Sequence, residues 1–256
     1  DRPMTSPKAS TTPLLFPEPL REGVILARPN RFIMDVAFSD GASARCHCPA
    51  VSRIGDLDLT GRPCLVSDSH NPQRKLPLTV EAFSLQQPDA AEKQWIGINQ
   101  NASNRYVEHF LREGAFSAVT GPVDQLRREV PLGSSRLDFL VNENQYLEVK
   151  TPLVQIQTAI PPWVPTVSPA PFDSTERVQR HLRELAASLQ HNERAVILYC
   201  LYYENDGFRY YHGTTYEEML ACVDEARAAG VELWQADFTI TPESVALTGY
   251  HPLEEW

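Results

Sequence analysis

The stretch "SSRLDFLVNENQYLEVK", residues 134–150, decides the fold of the second half of this chain. Apolar residues alternate with polar ones on both sides of Asn142-Glu143-Asn144. An alternation with a period of two predicts two strands, and the polar triplet between them predicts a three-residue hairpin loop. Such a loop pairs Val141 with Gln145 and thereby fixes the register of every further pair.

This register gives the hairpin an apolar face and a charged face. The apolar face comprises Leu137, Phe139, Val141, Leu147 and Val149. On the charged face Asp138 lies opposite Glu148, and Lys150 follows on the same side. Two adjacent carboxylates repel each other unless a cation lies between them. The geometry therefore predicts Mg²⁺ (or Mn²⁺) on Asp138 and Glu148, with Lys150 placed to stabilise charge on a phosphate during phosphodiester cleavage.

The same register allows a simpler alternative. Arg136 lies diagonal to Glu148, and Asp138 lies diagonal to Lys150. The four charges would then form two cross-strand ion pairs on a solvated face, each contributing less than about 1 kcal/mol. The hairpin alone leaves both interpretations open.

The first part of the chain contains a series of short strands. Residues 1–17 are rich in Pro, Ser and Thr without periodicity, which predicts a flexible tail. Turn signals then separate β-like runs at residues 22–28, 31–38, 42–48, 63–67, 76–84 and 94–98. Five or six short strands within about 80 residues are typical of a small barrel. We therefore predict an OB-like domain over residues 18–98.

The second part, residues 99–256, mixes helices with strands. A helix is predicted over residues 103–114, where Tyr106, Val107, Phe110 and Leu111 recur at helical spacing. A second helix is predicted over residues 173–190, with a capping signal in Asp173 and Glu176. Together with the hairpin and the apolar runs that follow, the predicted order is αβββαβαβ. This order indicates an α/β (α+β) domain.

The net charge of −10 is distributed unevenly. Residues 1–90 contain ten Lys/Arg and ten Asp/Glu, whereas residues 91–256 contain thirteen and twenty-three. Binding of nucleic acid through an overall positive field is therefore excluded, since such binding rests on Lys and Arg. A bound divalent cation would supply the positive charge that an acidic domain needs to approach a polyanion.

The cysteines and the apolar runs indicate the cellular compartment. Five cysteines, an odd number in a chain of this size, favour reduced thiols in the cytoplasm. Cys46-His47-Cys48 resembles half of a zinc site, but the sequence offers no second half. The apolar runs are much shorter than the roughly 20 residues of a membrane helix, so we expect no membrane partner.

The order of elements around Asp138, Glu148 and Lys150 resembles the PD-(D/E)XK nuclease core. Several motifs also resemble the sugar fermentation stimulation protein family in order and spacing: "RPNRFIMDVAFSDG", "CHCP", "HNPQRKLPLTVE", "RREVPLGSSRLDFLV", "YLEVK" and "TERVQRHLREL". This resemblance covers residues 20–245. It implies a nucleic-acid-binding protein with an OB-like N-terminal domain, a nuclease-like αβββαβ core and an added helix and strand.

The resemblance also implies roles for individual residues. Asp138, Glu148 and Lys150 occupy the active-site motif, with Asp138 and Glu148 as the metal ligands. The candidate nucleic-acid contacts are the basic residues Arg28, Arg31, Arg53, Arg74, Lys75 and Arg136. On the second predicted helix, Arg177, His181 and Glu184 share one side, and we include His181 among the candidate catalytic residues.

Two departures from the family pattern concern the site. Where the family has Pro-Asn-Thr-Gly-Arg, this chain has Pro49-Ala50-Val51-Ser52-Arg53. In the helix before the hairpin, the family has a glutamate where this chain has His109, and Glu108 stands one place earlier. A shift of one residue rotates a side chain by about 100° around a helix. Glu108 is therefore a candidate whose reach to the metal is in doubt.

Three functions remain open from the sequence. The first is a Mg²⁺-dependent nuclease acting on DNA or RNA. The second is a non-catalytic, regulatory DNA-binding protein with a nuclease-derived core, and the third is an enzyme acting on a smaller phosphate-containing ligand. A homodimer is possible in each case.

Overall fold

The computed structural model describes residues 12–169 and 174–256. Its first part contains the strands β1 (Leu14–Leu15), β2 (Arg21–Asn30), β3 (Ile33–Phe38), β4 (Ser43–His47), β5 (Pro63–Asp68), β6 (Leu78–Phe83) and β7 (Ile96–Gly97). Its second part contains α1 (Ser103–Arg112), α2 (Ser117–Thr120), β8 (Leu126–Leu132), β9 (Ser135–Val141), β10 (Gln145–Lys150), α3 (Glu176–Ser188), β11 (Arg194–Leu201), α4 (Tyr216–Ala228), β12 (Glu232–Ile240) and β13 (Ser244–Pro252).

Five strands of the first part form a closed barrel. They hydrogen-bond in the order β4-β3-β2-β5-β6, and a pairing of His47 with Thr79 joins β4 back to β6. Closure removes the sheet edges, and the alternating apolar side chains fill the interior. Met34, Val36 and Cys46 are completely buried there. The predicted OB-like barrel is confirmed.

The second part is built on a seven-stranded sheet in the order β1-β13-β12-β11-β10-β9-β8. Its three central strands, β10, β11 and β12, are parallel. Helix α1 covers one face, and helices α3 and α4 pack together in the core that covers the other. The mixed α/β class is therefore confirmed. The sheet also contains strand β13, which the sequence did not predict.

Several predicted details change. Leu14–Leu15 lie within the predicted flexible tail but pair with β13, because strand β13 otherwise leaves its edge unpaired. Residues 1–11, the rest of that tail, lie outside the described residues. Helix α3 begins at Glu176 after Thr175, and Asp173, proposed as its capping residue, also lies outside the described residues. The short helix α2 was not predicted.

The hairpin register is confirmed for three pairs, from Val141–Gln145 to Phe139–Leu147. The ladder then ends, so Asp138 and Glu148 do not form the predicted backbone pair. The five apolar residues of the hairpin are all buried, but Leu137 packs in the core that contains Leu182 of α3, whereas Phe139 packs in the core that contains α1. Leu137 and Phe139, predicted to share one face, therefore contribute to two different cores.

Glycine allows the barrel and the sheet to approach each other closely at Gly97. A Cβ atom there would lie 2.4 Å from Cδ1 of Ile240 and 2.6 Å from Cβ of Tyr202, so no larger residue fits. The backbone N–H of Gly97 donates to the carbonyl of Tyr202 at 2.9 Å. The connection from the barrel to α1 is thus fixed against the end of β11.

Candidate functional site

Asp138 is held by two hydrogen bonds from opposite directions. Its Oδ1 accepts from Nδ2 of Asn104 on α1 at 2.7 Å. Its Oδ2 accepts from the backbone N–H of Val149 at 2.7 Å. The second bond uses the N–H that would have continued the hairpin ladder, which explains why the ladder ends here. The carboxylate therefore occupies one fixed position next to Glu148.

Glu148 is a buried carboxylate with an incomplete set of partners. The residue is only 3% exposed. Its Oε1 lies 3.7 Å from Nζ of Lys150 and 3.8 Å from Nδ1 of His181, beyond hydrogen-bonding distance. Among the described residues its Oε2 has no hydrogen-bond partner. Burial, together with the neighbouring Asp138 carboxyl, raises the pKa of Glu148 to about 9.

Lys150 is oriented by a histidine from α3. Its Nζ lies 2.8 Å from Nδ1 of His181, which is 2% exposed. Burial, together with the charge of Lys150, lowers the pKa of His181 to about 4. The ring is therefore neutral at pH 7, and Nδ1 accepts a hydrogen bond from the ammonium group. Burial also lowers the pKa of Lys150, while Glu148 opposes that change.

These groups lie at an open cleft of about 950 Å³ between the barrel and the sheet. One wall comes from the barrel and includes Arg31, Val51, Ser52 and Arg53. The opposite wall comes from the sheet and its helices and includes Asp138, Glu148, Lys150 and Arg177. The exposed ion-pair alternative does not describe this arrangement, because Glu148 is buried and Arg136 donates to the carbonyl of Glu129.

Glu108 is not brought to the cleft. Its carboxylate lies 3.1 Å from Arg112 and 3.3 Å from Arg128, at the outer side of α1. Glu108 therefore does not take the position predicted for a catalytic group. It stands one residue before the family's glutamate position, and each residue turns the helix by about 100°. His109 does not line the cleft either, and its Nε2 is buried without a partner among the described residues.

The predicted basic residues divide into two groups. Arg31 and Arg53 line the cleft. The other four do not, and Arg28 uses its guanidinium to support the loop beneath, donating to the carbonyl of Arg31 at 3.1 Å. Arg74 and Lys75 lie in the exposed turn between β5 and β6, and Arg136 is exposed on β9.

The three residues predicted to share one side of α3 also separate. Arg177 lines the cleft, and His181 lies beneath it against Lys150. Glu184 instead accepts from the backbone N–H of Ser134 at 2.9 Å and from its hydroxyl at 2.6 Å. Helical spacing predicted that the three residues share one side of the helix, but the neighbouring strands determine which groups each of them contacts.

Two site residues were missed. Asn104 lies in the first turn of α1 and holds Asp138. Gln100 joins the two walls, since its Oε1 accepts from the N–H of Val51 at 2.8 Å and its Nε2 donates to the carbonyl of Thr151 at 2.7 Å. The signal available in the sequence was a pair of amide side chains near the start of the helix that precedes the acidic hairpin.

The donor set fits a hard divalent cation in part. Two carboxylates lie together, and one of them has a buried unpaired oxygen, which is the group such a cation would satisfy. Over residues 12–169 and 174–256, however, no cluster of three or more His, Cys, Asp or Glu side chains is arranged to hold a metal. Asp138 and Glu148 would thus need water or backbone oxygens to complete the coordination. Cys46 and Cys48 are buried free thiols and belong to no such cluster among these residues.

Comparison with known proteins identifies the family of this chain. The model described as "Sugar fermentation stimulation protein RE domain" matches residues 101–244, and the "SfsA N-terminal OB domain" matches residues 26–98. The chain belongs to the sugar fermentation stimulation protein family. Homologues from Synechocystis sp. and Microcystis aeruginosa are both 32% identical to it, covering 92% and 98% of this chain and 96% and 100% of their own.

A solved structure of the same family shares the fold. The structure of Pyrococcus furiosus SfsA in complex with Ca²⁺ superposes with a TM-score of 0.68 at 18% identity, covering 96% of this chain and 98% of that one. The SfsA architecture of an OB barrel followed by a nuclease-like sheet therefore extends over the chain. No helix among the described residues is long and apolar enough to cross a membrane.

Proposed function

We propose that this protein is a divalent-cation-dependent nuclease that hydrolyses phosphodiester bonds in DNA or RNA. The observation that carries the proposal is the Glu148 carboxylate, which is buried beside Asp138 at the cleft with Oε2 unpaired among the described residues. An unpaired buried carboxylate is costly, and a cation between the two acids removes that cost. The structure of the Pyrococcus furiosus protein, which has the same fold, is a complex with Ca²⁺, and this supports binding of a divalent cation.

The two acids and the lysine would have separate roles. Asp138 and Glu148 would hold Mg²⁺ or Mn²⁺, which when bound supplies Lewis-acid chemistry at a phosphate and lowers the pKa of water. Asn104 and the N–H of Val149 keep the Asp138 carboxylate in position. The Lys150 ammonium would donate to a phosphate oxygen as negative charge develops there, and neutral His181 holds that ammonium at the cleft.

The barrel would supply the binding surface for the polymer. OB folds bind oligonucleotides along one face, and Arg31 and Arg53 present guanidinium groups on the barrel wall of the cleft. We propose a division near Asn99 between a nucleic-acid-binding domain over residues 18–98 and a nuclease-like domain over residues 99–256. The cytoplasm remains the compartment that we expect, and a homodimer remains a prediction.

The decisive experiment is a cleavage assay. Labelled single- and double-stranded DNA and RNA are incubated with the purified protein in Mg²⁺, Mn²⁺ or EDTA. Cleavage that requires a divalent cation and is lost in Asp138→Asn supports the proposal. Cleavage that Asp138→Asn retains would belong to a contaminating nuclease and would refute it.

A second candidate is a non-catalytic protein that binds and regulates DNA. It is favoured by the position of Glu108, which is ion-paired with Arg112 and Arg128 away from the cleft. Binding to nucleic acid without cleavage in any metal would favour this candidate. Restoring Asn-Thr-Gly at residues 50–52 together with His109→Glu would then test whether the departures from the family account for the lost activity.

A further inference from the structure

An aromatic residue lies in the same cleft as the acidic pair. Tyr211 belongs to the segment between β11 and α4, is half-buried and lines the cleft. The guanidinium carbon of Arg53 lies 5.3 Å from the centroid of its ring. The two residues come from opposite walls of the cleft, so the ring and the cation meet across it.

The segment that carries Tyr211 is anchored in the core. The rings of Phe208 and Tyr199 are stacked, with centroids 4.2 Å apart and planes 15° apart. The N–H of Phe208 donates to Oε1 of Gln235 at 2.9 Å. The hydroxyls of Tyr210 and Tyr199 are hydrogen-bonded to each other. Tyr211 therefore directly follows a fixed segment. Binding a ligand against its ring costs little conformational entropy of the chain.

The barrel wall opposite the acidic pair is both apolar and cationic. Val51 lines the cleft with 60% of its surface exposed, although an aliphatic side chain gains from burial. Arg53, two residues after it, and Arg31, from the turn between β2 and β3, also line the cleft. A cleft wall that presents an apolar side chain and two guanidinium groups suits a strand that offers flat bases and phosphates together.

We propose that Tyr211 stacks on an unpaired base of a nucleic-acid strand whose phosphate lies at Asp138, Glu148 and Lys150. The cleft would then select single-stranded or locally unwound nucleic acid, because bases in a duplex are stacked on each other and must leave the stack to reach the ring. Arg53 would hold the ring from one side and contact the backbone. This inference rests on the proposed function and adds the strandedness of the substrate.

The experiment measures stacking directly. The probe is an oligonucleotide about 12 nucleotides long, within the range of OB-fold site sizes, that contains 2-aminopurine, a base whose fluorescence falls on stacking. It is presented single-stranded or annealed to its complement, as DNA and as RNA, to the full-length protein in Ca²⁺. Gel electrophoresis afterwards verifies that the oligonucleotide is intact. Fluorescence anisotropy of a terminal dye gives the affinity.

Three variants isolate the aromatic ring. Tyr211→Phe keeps the ring, whereas Tyr211→Leu keeps apolar bulk without it and Tyr211→Ala removes both. We expect the wild type and Tyr211→Phe to quench 2-aminopurine and to prefer the single strand. Tyr211→Leu and Tyr211→Ala should lose the quenching and about 5- to 150-fold of single-strand affinity, the range for one stacked base, with duplex affinity unchanged.

The outcomes separate this inference from the proposed function. If Tyr211→Leu retains the quenching and the single-strand affinity, the inference is overturned, while the proposed function is still decided by the cleavage assay. Equal affinity of the wild type for single strand and duplex would overturn it as well. A wild type that binds none of the four probes would refute the proposed function together with the inference. Thermal unfolding of each variant checks that it is folded.

Discussion

The ammonium nitrogen of Lys150 lies 2.8 Å from Nδ1 of His181. The histidine is buried beneath the cleft, and its lowered pKa keeps it neutral, so it accepts a hydrogen bond without competing for a proton. Strand β10 provides the lysine and helix α3 provides the histidine. We therefore propose that His181 positions Lys150 and does not itself touch the substrate.

Replacing Lys150 should separate catalysis from metal binding. Lys150→Ala removes the ammonium beside the acids, so we expect cleavage to fall about 100-fold or more while divalent-cation affinity changes little. Single-turnover cleavage and calorimetric titration with Mn²⁺ measure the two quantities. His181→Leu should lower kcat with little change in KM, and His181→Gln, which keeps an acceptor, should recover part of the loss. Full activity in Lys150→Ala would contradict the role.

The two carboxylates should be individually necessary for the cation. Asp138→Asn and Glu148→Gln each remove one charged ligand, so each should weaken Mn²⁺ binding strongly in calorimetric titration. Glu108→Gln is the matched control, since that carboxylate is ion-paired outside the cleft and its loss should leave the titration unchanged. Unchanged affinity in both acidic-pair variants would remove the metal site.

Asn104 should tune the cation site without contacting the cation. Asn104→Ala frees Oδ1 of Asp138, and losing a partner that orients a metal ligand typically costs about 10- to 100-fold in metal affinity. Asn101→Ala, another residue that lines the cleft, serves as the control. If Asn104→Ala and Asn101→Ala bind Mn²⁺ equally well, the hydrogen bond has no such role.

The raised pKa of Glu148 predicts opposite pH trends for stability and metal affinity. Between its ordinary pKa of 4.5 and its folded value of about 9, the folded metal-free protein holds a proton that the unfolded chain releases. The free energy of unfolding should therefore fall as pH rises through this window. Cation affinity should rise over the same window, because the cation displaces that proton. Urea titrations without metal and calorimetry with metal test both, and Glu148→Gln should flatten the stability trend.

The basic residues should differ according to their distance from the cleft. Arg31→Gln and Arg53→Gln should each weaken binding and lower the salt dependence of binding by about one unit of slope, the amount for one lost phosphate contact. Arg74→Gln and Lys75→Gln change exposed charges outside the cleft. If this outer pair has the larger effect, the polymer follows the β5–β6 turn instead, as the family resemblance also allows.

Local pattern alone predicted much of this fold. The period-two alternation of residues 134–150 predicted the hairpin and its register, which holds from Val141–Gln145 to Phe139–Leu147. Helical spacing predicted the buried side of α1, where Tyr106 and Phe110 are buried. Strand β13 was missed because its alternation is interrupted by Gly249 and Pro252. The hairpin and the buried side of α1 depend on residues that are close together in the chain, so the sequence shows their pattern directly.

In the candidate site, too, contacts within one local element can be predicted from the sequence, whereas contacts between distant elements cannot. The sequence by itself determined that Asp138, Glu148 and Lys150 come together, because a single hairpin carries all three. Only the tertiary structure decided that Glu148 is buried without a partner for Oε2 among the described residues, that Asn104 holds Asp138 and that His181 holds Lys150. It also decided that Glu108 lies outside the cleft and that Arg53 meets Tyr211 across it. The contacts of Asn104, His181 and Arg53 join residues 31 to 158 positions apart, and their geometry is set by how the helices and the barrel pack on the sheet.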